Sequence, residues 1–159
     1  MGSIPLHAAI VHIPLGIAVV VPWLALALAI ALARGAADKR SWSIVVALQA
    51  VVFFGGLAAM NTGEAQEKTV ERVVDERWIE EHEHRAEPFV WSAGLTLAST
   101  VGVLLLGAER IAIAAGIAVF GTLVTLILAV RVGQSGGLLV YEHGAASAYA
   151  TPKPSGDSH

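Results

Sequence analysis

The sequence predicts an all-α integral membrane bundle of four spans, with an amphipathic outer helix between the second and third spans. Three observations point to it. The chain has 159 residues, of which 55% are apolar and only 14% charged. The runs 10–33, 42–60, 89–108 and 111–130 contain no Asp, Glu, Lys or Arg. Each is about as long as the roughly 20 residues a helix needs to cross a hydrocarbon core of about 30 Å. A soluble four-helix bundle would also show a polar stripe recurring about every seven residues, and 17–33 has none.

The elements follow in order. The first span is expected at about 10–33. Ala31-Leu32-Ala33 resembles a signal cleavage site, but residues 1–9 lack Lys and Arg and the apolar run is far longer than a signal core. The run is therefore read as an anchor. The second span is expected at about 42–60, the third at 89–108 and the fourth at 111–131. The short loop between the first two spans carries Arg34, Lys39 and Arg40 against Asp38, and the turn between the last two carries Glu109 and Arg110. Short basic loops stay cytoplasmic. Both termini and the long middle loop are thus expected outside, although that loop also holds Lys68, Arg72, Arg77 and Arg85.

Residues 64–87 lack internal Gly and Pro. Val70, Val73, Val74, Trp78, Ile79 and His82 fall on one helical face. This predicts the amphipathic outer helix, with His82 turned to the bundle and His84 away. Pro88 then suits the first turn of a new helix. Gly94, Ala98 and Gly102, and likewise Gly121, Thr125 and Ala129, repeat at a spacing that allows close helix contact in lipid. Trp42 and Trp91 fit an interfacial aromatic belt. Gly133, Gly136 and Gly137 permit a sharp turn, after which 138–144 folds back over the outer face. The membrane domain is read as 1–144 and the tail 145–159 as disordered, with His159 outside any site.

Composition also excludes functions. There is no cysteine, hence no disulfide, thiolate zinc site, iron–sulfur cluster or covalently attached haem. The net charge is −3, and no basic cluster suggests nucleic acid. With Met1 and Met60 as the only methionines, a methionine copper ladder is out. No ionisable residue lies near the middle of a span, as a transporter path would require. The HExxH, phosphate-loop and Ser-His-Asp patterns are missing as well.

What remains is histidine. His7, His12, His82, His84 and His143 all fall on the expected outer side. Neutral imidazole ligates haem iron, zinc and copper. His12 lies inside an apolar segment two residues before Pro14, where a polar group is costly unless it is paired or lines a cavity. Its bland alternative is a bond to a backbone carbonyl. His82 lies beside Glu81 and Glu83, and a carboxylate commonly orients a metal-bound imidazole. His143 follows Tyr141 and precedes Gly144, in a stretch with a defined backbone shape or, in the bland alternative, an exposed loop.

Three segments together resemble a bacterial family of small four-helix membrane proteins known only as a domain of unknown function. They are Leu6-His7-Ala8-Ala9-Ile10-Val11-His12-Ile13-Pro14-Leu15-Gly16, Thr62-Gly63-Glu64-Ala65 with Glu81-His82-Glu83, and Gly133 through Tyr141, Glu142, His143 and Gly144. The family patterns run close to HPxxVHFPIG at the start and GHxGGxLVYxHG at the end. Ala8 replaces the usual proline, and Gln134 replaces a histidine, which puts any ligand role at that position in doubt. The resemblance implies a multi-pass protein of the bacterial plasma membrane, with no established activity.

The expected cofactor-binding residues are His12, His82, His143 and His7. The expected metal set is His12, His82, His143 and Glu83. The first functional reading is b-type haem, clamped by His12 with His82 or His143, passing electrons between membrane quinols and an outer partner. The second is a zinc or copper site. The third is a scaffold subunit of a membrane complex, in which the histidines only satisfy a polar cap.

Overall fold

The computed structural model describes residues 6–150, and every regular element among them is helical. α1 (Leu6–Ile10) leads directly into α2 (His12–Ala33), followed by α3 (Ser43–Val70), α4 (Glu76–Leu105) and α5 (Ile111–Tyr141). Short 3-10 turns cover Lys39–Trp42, Ala108–Arg110 and Ala145–Tyr149. α2 packs on α3 and α5, and α4 packs on the same two, closing a four-helix ring. All four arms are long and apolar enough to cross a membrane.

Local chemistry sets the ends. Gly35, at φ 66°, ends α2, while Ala36 N–H donates to Ala31 O at 2.8 Å and Gly35 N–H to Leu32 O at 3.1 Å. This is the left-handed closure that glycine adopts without a Cβ penalty. Asp75 caps α4 by accepting from Arg77 N–H at 3.1 Å. The two short connections are tied together where Lys39 Nζ donates to Leu106 O at 2.6 Å.

The interior is small and partly polar, the exterior large and apolar. Ala18, Ala25, Ala93, Ala115, Ala118 and Ala129 are buried, with Gln49, Thr96, Thr100, Thr122 and Thr125 among them. Val19, Trp23, Phe54, Leu95, Ile113, Ile117 and Phe120 face outward. Water would favour the reverse. Small residues at helix contacts are what association requires where the surroundings are as apolar as leucine. The buried polar groups are paired: Gln49 Nε2 donates to Ala93 O and Trp42 Nε1 to Thr100 O, each at 3.1 Å. Thr125 Oγ1 gives its one proton to Gly121 O at 2.9 Å. It therefore accepts from Ser92 Oγ at 3.0 Å and from Thr96 Oγ1 at 3.2 Å.

Several expectations change. Residues 61–87 form no separate surface helix; α3 runs on to Val70, a tight turn follows, and α4 starts at Glu76. Pro88 lies inside α4 rather than at its start. It lacks an N–H and so frees one carbonyl, but the packed helix continues through it. The glycines 133, 136 and 137 make no turn, because α5 is unbroken to Tyr141. Gly136 alone of the three serves close approach: a Cβ there would sit 3.2 Å from His82 Cε1, whereas one on Gly137 would meet nothing within 4 Å. Trp42 belongs to no interfacial belt, since it is fully buried, whereas Trp91 is exposed. On α4 the packing face is Ala93, Thr96, Thr100 and Val103. Ala98 is exposed and Gly102 faces open space. The first part of the tail is ordered, with Ala145–Tyr149 helical and Ala145 buried; 151–159, including His159, lies outside the described residues.

A Cβ on Gly121 would meet Thr96 Oγ1 at 2.8 Å, while Gly116 meets nothing within 4 Å. Gly121→Ala is expected to cost about 1–3 kcal/mol through overpacking. Gly116→Ala is expected to be neutral or to gain up to about 1 kcal/mol from helix propensity. Thermal unfolding in detergent checks both, and equal effects at the two positions would contradict the packing described.

Candidate functional site

At the end of the bundle opposite the Lys39 connection, α3 and α4 extend beyond their apolar stretches and join in a turn. Val74, Ile79 and Ala145 bury against one another there, with Val70, Trp78 and Leu139 packed around them. This small second core places the N-terminal part of α4 against the last turns of α5.

The α4–α5 register carries that placement. Ser92 meets Thr125, and ten residues further along each helix, His82 meets Ser135. His82 Nδ1 lies 2.9 Å from Ser135 Oγ. The Ser135 hydroxyl donates its proton to Val132 O at 3.0 Å, so His82 Nδ1–H is the donor and Nε2 carries the lone pair. Burial, and then the neighbouring His7 and Arg85, lower the His82 pKa from 6.5 to about 4. Its ring is neutral at physiological pH.

His7 approaches from α1. Its Nδ1 lies 2.8 Å from Ala59 O. A carbonyl only accepts, so Nδ1 of His7 carries a proton, and its Nε2 meets no hydrogen-bond partner among the described residues. Gly63 admits the ring, because a Cβ there would sit 3.3 Å from His7 Nδ1. The His7 and His82 ring centres are 6.2 Å apart, with their planes at 89°. Two imidazoles from different helices thus stand side by side, each oriented through Nδ1 and neither with an Nε2 partner among the described residues. Fixing a ring through one nitrogen leaves the other as a ligand.

The other expected residues do not join the pair. His12 is exposed, and its Nδ1 donates to Ala8 O at 2.6 Å within its own turn. His143 stacks on Trp78, with ring centres 4.3 Å apart and planes at 16°. The Arg77 guanidinium lies 4.7 Å from the Trp78 ring centre. Gly144, at φ 71°, turns the chain just after His143. A cleft of about 40 Å³ lies between Trp78, Glu81, Ser135, Leu138, Leu139 and His143. That is room for little more than a water or two. Glu83 is exposed. Partial desolvation, then Glu67, Glu64, Glu80 and Glu71, push its carboxyl above the usual range. Glu81 is bonded to Arg85. His84, Gln134 and Tyr141 are exposed, so the replacement at Gln134 opens no gap beside the pair. Among the described residues, no three His, Asp or Glu side chains converge as a metal-ligand group.

Sequence reasoning foresaw that His82 turns inward on the face of Trp78, but it missed Ser135, the stacking of His143 on Trp78 and the Ala59 carbonyl. Ser135 had a signal: with α5 unbroken, it continues the buried face of Thr122, Thr125, Ala129 and Val132. The three segments that carry the family resemblance meet here, through His7 on Gly63 and through His82 on Ser135 and Gly136. Comparison with family models, curated proteins and solved structures finds no match to this chain.

His82 gives a pH signature. Between 6.5 and about 4 the unfolded chain takes up a proton that the folded ring refuses. Stability is therefore expected to be fully present above pH 6.5 and to fall as the pH drops through this window. His82→Gln is expected to flatten that slope. Thermal unfolding across the pH series measures it, and an unchanged slope in the variant would remove His82 as the cause.

Proposed function

We propose that this chain is an integral membrane protein whose outer end binds a transition-metal ion through His7 and His82. The carrying observation is that both Nδ1–H groups are spent on fixed acceptors, on rings 6.2 Å apart whose Nε2 atoms have no partner among the described residues. The large apolar exterior over a small interior supports the membrane placement. Arg34, Lys39, Arg40 and Arg110 belong to the short connections at the opposite end, and short basic loops favour the cytoplasm, although Lys68, Arg72, Arg77 and Arg85 lie at the end read as outer. Membership of the small four-helix membrane family and a bacterial plasma-membrane location are proposed on the sequence resemblance alone.

Haem fits less well. Two axial imidazoles satisfy its iron, but the macrocycle also needs an apolar slot. The cleft beside the cap is about 40 Å³, against roughly 300–1,000 Å³ for pockets that hold ligands of that size. The packed cap suits a bare ion, whereas haem would require α1 and α4 to part. With no resident ion, the same residues would simply complete a polar cap on a scaffold subunit.

Metal analysis and an absorption spectrum of protein purified in mild detergent without chelators decide among these. About one metal ion per chain and no Soret band is expected, with the metal lost in His7→Ala and His82→Ala and kept in His12→Ala. A Soret band lost in the same variants would replace the ion with haem. Neither metal nor chromophore would leave the scaffold role.

A further inference from the structure

We infer that the ion is copper(I), held in two-coordinate fashion between Nε2 of His7 and Nε2 of His82. This rests on the metal-binding reading above and narrows it to one ion. Three observations carry it.

The first is the number of donors. Zinc takes four ligands in structural sites and three plus water in catalytic ones. Here two imidazoles meet, and among the described residues no third His, Asp or Glu completes a set. Glu81 is engaged by Arg85, and His143 lies flat on Trp78. Copper(I), which imidazole suits, can be held by two nitrogen donors alone.

The second is spacing. With metal–nitrogen bonds of about 2 Å, imidazoles on opposite sides of one ion have centres about 6 Å apart, and a tetrahedral angle would bring them to about 5 Å. The observed 6.2 Å, with the ring planes at 89°, is compatible with a linear pair and longer than a tetrahedral one would give.

The third is charge. His7 and His82 are half-buried, and the charged side chain acting on His82 is the Arg85 cation rather than an anion. The desolvation cost of an ion rises steeply with its charge, and uncharged ligands do not offset it. A monovalent ion is therefore favoured over a divalent one. No redox step is invoked; the proposal concerns binding alone.

The test uses the full chain in detergent micelles, under anaerobic reducing conditions. Copper(I) is titrated against a chromogenic copper(I) chelator, with zinc(II) titrated in parallel, and X-ray absorption reads the coordination. One copper(I) per chain with two nitrogen neighbours is expected, with zinc bound more weakly. Ser135→Ala loosens the orientation of His82 and should weaken copper about 10–100-fold, the usual cost of removing a group that orients a ligand. His7→Ala should weaken it more. His7→Met should restore copper(I) but not zinc, because a thioether selects the softer ion. Circular dichroism confirms that each variant keeps its helices, and His7→Met keeps the test decisive if His7→Ala does not fold. Tighter zinc, a four-coordinate ion or a Soret band would overturn copper while leaving a His7–His82 centre in place. A folded wild-type chain that retains neither ion nor haem would overturn both readings.

Discussion

The Thr125 hydroxyl on α5 has one proton, and it goes to Gly121 O. It can then only accept from Ser92 and Thr96 on α4, and Gly121 lies so near Thr96 that even a methyl would collide. A knot of hydrogen bonds with close backbone approach on both sides permits one axial register. Sliding α4 by a residue would leave hydroxyls unpaired in a buried interior, where each costs about 1–3 kcal/mol. The remaining helices settle around that contact.

The register reaches further than the knot. Ten residues of α-helix are about 15 Å, and at that distance from Ser92 and Thr125 the same pairing sets His82 against Ser135. The imidazole at the end of the bundle is oriented by a contact near its middle. His7 depends on a different docking. Pro14 is buried against Gly55, where a Cβ would be 3.2 Å from the ring. This holds the start of α2 close to α3 and lets α1 reach the Ala59 carbonyl. The two rings thus belong to two separately anchored parts of the molecule, which is the arrangement a shared ligand site needs.

Much of the fold was legible because lipid-compatible helices announce themselves by the absence of charge, and four such runs are plain. The inward face of His82 was legible from its spacing to Trp78 and Val74. Helix ends were less so. Pro88 and the glycines 133–137 read as breaks, since their local cost in a helix is real. Packing overrode that cost, and Gly136 became the opening through which His82 approaches. Trp42 read as an interfacial residue from its position near a helix end, yet Thr100 O gives its indole N–H a buried partner.

The histidine pairing was not legible at all. His12 drew attention because an imidazole in an apolar segment must be paired, and it is, but to Ala8 O within its own turn. The amino-acid order alone determined the helical class, the number of long apolar arms and the end of the molecule where the imidazoles gather, because these follow from local composition and a period of 3.6 residues. Only the tertiary structure decided that His7 rather than His12 stands beside His82, and that Ser135 sets its tautomer. Those facts depend on the axial register of helices far apart in the chain, which hydroxyl pairing and glycine contacts set through space.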